Sequence, residues 1–128
     1  MSKIAFIFPG QGAQVPGMGK DFYEQTGIGK AVFDRASELL GFSMAELCFE
    51  KNDRLDITEY TQAAMVTTSI AMMKVLEERG VRPDVAAGLS LGEYCALYAA
   101  VVMSADDAIT TVRKRGILMQ EAVPVGNR

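Results

Sequence analysis

Short apolar runs alternate with longer stretches in which apolar residues recur every three or four positions. Lys3 to Phe8, KIAFIF, is a compact run of β-branched and aromatic residues stopped by Pro9-Gly10, which predicts a buried strand ending in a glycine-rich loop. After that loop, GQGAQVPGMG, Lys20 to Gln25 can form a short helix. Ile28 to Leu40 predicts a better one, because Ala31, Val32, Ala36, Leu39 and Leu40 recur at helical spacing and Gly41 sits where a cap falls. Ser43 to Glu50 offers another short helical turn. From Asp56, DITEYTQAAMVTTSIAMMKVLEERG places Asp56 and Glu59 at capping-box spacing and ends on Gly80. Met65, Ser69, Met72 and Leu76 share one face of this helix, with Val66, Ile70 and Met73 beside it, so a broad face is expected in the core. Its methionines read as adaptable packing.

Pro83 to Gly88 predicts a second short strand, Gly92 to Met103 a mostly apolar helix, and Ser104-Ala-Asp-Asp107 an N-cap box opening a last helix to about Glu121. Strand, helices, strand, helices is the order of an α/β layer structure with parallel strands. Two strands do not make a stable sheet, so the expected fold is an incomplete one, and VPVGNR stands where a further strand or domain is expected. No internal repeat, low-complexity tract or linker interrupts residues 1–128, which are read as one unit without an internal boundary.

Composition narrows the function classes. With 128 residues and 49% hydrophobic content the chain has material for a core. A net charge of −3, with Lys and Arg scattered, leaves no basic footprint for nucleic acid. Cys48 and Cys95 fit neither a disulfide framework nor a metal-ligand spacing, and the count of histidines is zero, so reduced thiols and no zinc site are expected. The apolar run at Ile4 to Phe8 is shorter than the hydrophobic region of a signal peptide, and Tyr94 to Met103 is about half a membrane span. A cytoplasmic protein without a membrane anchor is the expectation.

Three stretches carry chemistry. In AAGLSLGEYCAL, Ser90 lies between Gly88 and Gly92, the spacing of a strand-to-helix elbow in which small residues on either side let strand and helix close up and push the hydroxyl outward. The helix that follows aims its first N–H groups at the serine. An ordinary tight turn with a serine N-cap fits the same residues. In FPGQGAQ, small residues around Gln11 expose backbone N–H groups at the end of the first strand, where α/β proteins place their sites, although a plain loop turn is the other reading. The dinucleotide pattern fails here because Val15 stands where glycine is needed, and the phosphate-loop pattern fails because Gln14 and Asp21 stand at its required positions. In Arg113-Lys114-Arg115-Gly116, Ala105, Ala108, Ile109, Val112, Gly116 and Met119 define the apolar face; Lys114 points away and Arg115 borders it. Arg115 there either pairs with a structural carboxylate or offers a guanidinium fork to a substrate carboxylate.

In order along the chain, FIFPGQGAQ with PGMG after it, TEYTQAA, AAGLSLGEY and RGILMQEAVPVG resemble the malonyl-CoA:acyl carrier protein transacylases and, more widely, the acyltransferase domains of fatty acid and polyketide synthases. The resemblance implies an α/β-hydrolase-like acyltransferase large domain, incomplete here and without the ferredoxin-like subdomain. It implies that Ser90 is the nucleophile that becomes acylated, that the backbone N–H groups of Gln11 and Leu91 form the oxyanion hole, and that Arg115 holds the free carboxylate of a malonyl group. The implied reaction carries malonyl from malonyl-CoA to the phosphopantetheine thiol of acyl carrier protein, in fatty acid biosynthesis, with no metal or redox cofactor. Two departures from the family pattern are visible: Leu89 stands where histidine commonly precedes the serine, and Ala63 where proline commonly follows the TQ pair. Both are read as local packing variation. The imidazole that activates the serine comes from well downstream in the family and is not among these residues, so the isolated chain is expected to be inactive. The rival expectation is a non-catalytic truncated or split acyltransferase that binds acyl-CoA or a complementary C-terminal chain.

Overall fold

The computed structural model describes residues 2–124; Val125 to Arg128, in the stretch VPVGNR where a further strand or domain is expected, lie outside the described residues. The elements run β1 (Ala5–Phe8), α1 (Lys20–Gln25), α2 (Gly27–Leu40), α3 (Met44–Phe49), α4 (Thr58–Glu78), β2 (Val85–Gly88), α5 (Gly92–Ala99) and α6 (Ala105–Ala122). β1 and β2 pair in parallel, with Ala5 opposite Val85 and Phe8 opposite Gly88. Both strands therefore end together, and the loops after Phe8 and Gly88 meet at one end of the sheet. No helix among the described residues is long and apolar enough to cross a membrane.

The long helix α4 is the axis of the core. Ala63, Ala64, Val66, Ile70 and Ala71 are fully buried along it. α6 crosses it with Ala108, Ile109 and Val112, while α2 packs alongside with Val32, Phe33 and Ala36. Phe33 is fully buried and meets Tyr23 edge-on and Phe49 at a tilt, at ring-centroid distances of 5.9 and 5.0 Å, a cluster that the apolar periodicity of α2 did not single out. Ala31, counted on the apolar face, is exposed instead.

Four expectations are corrected. β1 is not buried on both sides: Ile7 is 78% exposed, because no helix among the described residues covers that face of the strand pair. The Met65, Ser69, Met72 and Leu76 face of α4 forms one wall of an open apolar groove of about 370 Å³ against Phe6 and Phe8 rather than sealed core. The capping box at Asp56 does not form; its Oδ1 accepts from Gln14 Nε2 at 2.9 Å, and the backbone of Ile57 starts α4 instead. α5 stops at Ala99, four residues short of Met103.

That early stop has a defined cause. The Val102 N–H donates to the Leu97 carbonyl and the Val101 N–H to Tyr98, at 3.0 Å each, which is the hydrogen-bond pair of a Schellman cap. Val101 occupies the left-handed position of that cap at φ 61°, where glycine is usual; α4 ends in the same motif with Gly80 at φ 85°. A β-branched side chain held there costs about 1–2 kcal/mol. Val101 is also 89% exposed, so its side chain recovers little by packing. Val101→Gly is expected to stabilise the fold by about 1 kcal/mol, seen as a rise of a few degrees in the thermal midpoint.

Cys48 and Cys95 are buried and free. Burial pushes each thiol from 9.0 up to about 12, with weaker opposing hydrogen bonds involving Thr68 and Ser69 respectively. Neither thiol is expected to react with iodoacetamide at neutral pH until the protein is denatured. The sign of the pH effect follows: the folded state keeps both thiols neutral, while the unfolded chain ionises them above 9.0. Their contribution to stability is complete below 9.0 and declines from there to about 12, which denaturant titrations across that window will show.

Candidate active site

At the end of β2 the chain makes the expected elbow. Ser90 has φ 51°, a left-handed conformation rare for a residue with a side chain, and is exposed. The two glycines beside it are sterically required. A Cβ on Gly88 would lie 2.1 Å from the backbone of Gly92, and one on Gly92 would lie 2.3 Å from the Phe8 carbonyl oxygen. Strand, turn and helix are thus in backbone contact, which drives the Ser90 hydroxyl outward.

The loop after β1 closes onto the same elbow. Leu89 N–H donates to the Phe8 carbonyl at 3.1 Å, and a Cβ on Gly10 would meet the Leu89 carbonyl oxygen at 2.8 Å. Gln11 follows directly, so its backbone is brought to the serine turn by these contacts. The first helical N–H groups do not all face the serine as expected. Those of Gly92, Glu93 and Tyr94 donate to the carbonyls of Leu89, Ser90 and Leu91, at 2.9, 3.1 and 3.2 Å. The backbone N–H groups of Gln11 and Leu91 have no acceptor among the described residues.

Arg115 reaches the site from α6. Gly116 makes this possible: its Cβ would lie 2.9 Å from the Thr58 carbonyl oxygen, so only glycine lets α6 come this close to the start of α4. The guanidinium then sits 3.4 Å from Ser90 Oγ through Nη2, donates 2.7 Å from Nη1 to Gln62 Oε1, and lies 5.6 Å above the Tyr94 ring. Ser90 and Arg115 are therefore in one site, twenty-five residues apart in sequence. Arg113, two positions earlier, has a different surrounding: it contacts the Glu59 carbonyl and packs between the Phe42 and Tyr60 rings.

Two residues of the site escaped the sequence reading. Thr58 and Gln62 lie four apart on one face of α4 and are both buried. Thr58 Oγ1 accepts from Gln11 Nε2 at 3.0 Å, while Gln62 accepts from Arg115. One helical turn thus holds both the glycine-rich loop and the arginine. Their sequence signal was their place in TEYTQAA, a stretch that marked the family resemblance without assigning either residue a role. The two departures from the family pattern also look different in three dimensions. Leu89 is 72% exposed among the described residues. Ala63 is fully buried inside α4, where it keeps the helix unbroken. Among the described residues no group of Cys, Asp and Glu side chains is placed to hold a metal ion.

A parallel strand pair that turns through a strained serine into a helix, with a crossing helix delivering an arginine to the hydroxyl, has the framework of an α/β acyltransferase large domain. The chain belongs to the acyl transferase family: the family model described as acyl transferase domain matches residues 5–128. It is 53% identical over 127 residues to the malonyl CoA-acyl carrier protein transacylase of Bacillus subtilis, covering 98% of this chain and 40% of that protein. The crystal structure of the malonyl CoA-acyl carrier protein transacylase from Clostridium perfringens superposes with a TM-score of 0.90 at 47% identity, over 98% of this chain and 40% of that one. A malonyl-transacylase solved in complex with its type II PKS acyl-carrier protein gives 0.90 at 41% identity, over 96% and 40%. The chain thus spans about 40% of the length of these relatives.

Proposed function

We propose that these residues form part of the large domain of a malonyl-CoA:acyl carrier protein transacylase, as one unit without an internal boundary, acting in the cytoplasm in fatty acid biosynthesis. The observation that carries this reading is the Arg115 guanidinium 3.4 Å from the hydroxyl of a serine held at φ 51°. A cation at that distance suits an acyl chain that ends in a second carboxylate; a simple acetyl group has nothing to pair with it.

Ser90 Oγ attacks the thioester carbonyl of malonyl-CoA and gives its proton to a base. The negative charge that develops on the carbonyl oxygen is taken by the Gln11 and Leu91 N–H groups. When the tetrahedral intermediate collapses, the carbon–sulfur bond breaks and coenzyme A leaves as a thiol with the proton returned by the base. The phosphopantetheine thiol of acyl carrier protein then repeats the sequence in reverse on the seryl ester. Thioester, ester and thioester exchange without any change of oxidation state, so the reaction calls for no redox cofactor. The base is not an imidazole of these 128 residues, which contain no histidine; the longer enzyme supplies it.

Full-length enzyme mixed with malonyl-CoA and quenched with acid will carry one malonyl group on the peptide containing Ser90, with an equivalent of coenzyme A released. A polypeptide of residues 1–128 alone will acylate at a rate lower by about 10³-fold or more, because the hydroxyl lacks its base. Label on another residue, or rapid stoichiometric acylation of the short polypeptide, contradicts the proposal.

A further inference from the structure

We propose that Gln62 is a specificity-determining positioning residue, which fixes the Arg115 guanidinium through a neutral acceptor and so leaves the cation's charge for the substrate. The proposal rests on the reading of Arg115 given above. Gln62 is fully buried, and burying an amide is costly unless both of its ends are bonded. Here both are. Oε1 accepts from Arg115 Nη1 at 2.7 Å, and Nε2 faces Met119 Sδ at 3.1 Å. The orientation is dictated, since a guanidinium can only donate and the thioether sulfur can only accept. Arg115 and Met119 are one turn apart on α6, so the single amide grips two successive turns of the helix that carries the arginine.

The chemistry of the acceptor matters more than its presence. Buried or interfacial arginines are ordinarily held by carboxylates. In this chain the part-buried Arg113 has Glu59 at 3.9 Å, and even the exposed Arg35 pairs with Glu38 and Asp106. Arg115 has no carboxylate within ion-pair distance among the described residues. An aspartate or glutamate in place of Gln62 would hold the guanidinium equally well, but it would also neutralise it. The substrate carboxylate would then enter a site whose charge is already matched.

The test compares malonyl-CoA with acetyl-CoA as donors to full-length enzyme, reading kcat and KM separately. Q62E keeps the shape of the side chain and exchanges the neutral acceptor for a charged one. It is expected to lower kcat/KM for malonyl-CoA about 10- to 100-fold, mainly through KM, while acetyl-CoA changes little. Q62M, which keeps the volume and removes the acceptor, is expected to lower the malonyl-to-acetyl ratio in the same direction; it also reads the idea should Q62E not fold. In an R115A background, Q62E is expected to leave that ratio where R115A alone put it. An equal loss for both donors, or a Q62E effect on the ratio that persists without the arginine, marks Gln62 as a packing residue and overturns the proposal. If R115A alone leaves the ratio at the wild-type value, the carboxylate reading of Arg115 fails first, and that result is distinct from either of the others.

Discussion

Ser90→Ala in the full-length enzyme is expected to abolish the acyl-enzyme and to lower malonyl transfer by roughly 10⁴-fold or more. On the proposed mechanism the size follows from the chemistry: without the Ser90 hydroxyl no seryl ester can form, so the Gln11 and Leu91 N–H groups meet no oxyanion. Stability should hardly move. Alanine keeps the Cβ that already sits at φ 51°, so the backbone strain at the elbow is the same in both proteins. The hydroxyl is exposed, and its contact with Arg115 is a long one at 3.4 Å, so its removal leaves no buried group unpaired. The two readouts are acid-quenched labelling with malonyl-CoA and a thermal melt. A variant that melts like the wild type and still captures malonyl in one equivalent would place the nucleophile elsewhere.

What could be read in the sequence was chemistry whose geometric demands are local. Gly88-x-Ser90-x-Gly92 announces its elbow because close backbone approach admits only glycine, and the 2.1 and 2.3 Å clearances show that demand. Ser104 could be read as an N-cap for the same reason: its hydroxyl accepts from the Asp107 N–H, three residues on. Arg115 could be placed at the border of an apolar face by counting, although counting did not say what it faces. The role of Gln62 could not be found in that way: TEYTQAA marked the stretch, but the partner of the amide is 53 residues distant. Asp56 misled because α4 is capped one residue later, at Ile57, and the Asp56 carboxylate meets the distant Gln14 instead. Val101 misled in the opposite sense. Its residue type argues against a left-handed cap, yet its own N–H bond to Tyr98 and that of Val102 to Leu97 hold it there. The exposed Ile7 and the open groove beside α4 belong to surface whose covering, if any, lies outside the described residues, and apolar patterning alone cannot tell a covered face from an open one.

The elbow also makes the strongest structural prediction. Gly88→Ala is expected to destabilise the fold by about 4 kcal/mol or more, at the upper end of what single substitutions do, and to remove activity with it. The added methyl would lie 2.1 Å from both the carbonyl carbon and the oxygen of Gly92 and 2.3 Å from the Glu93 nitrogen. All three are backbone atoms, so no side chain can rotate aside. Relief requires α5 to move off β2, and that motion withdraws the Leu91 N–H and the Ser90 hydroxyl from the loop at Gln11. Gly27→Ala is the matched control. Gly27 opens α2, has open space around the position of a Cβ, and lies outside the left-handed region, so alanine there is expected to be neutral or stabilising by up to about 1 kcal/mol. Denaturant titrations of the two variants separate the steric cost of the elbow from the general effect of replacing glycine. A Gly88→Ala protein as stable as the Gly27→Ala control would mean that strand and helix do not meet at the serine as closely as described.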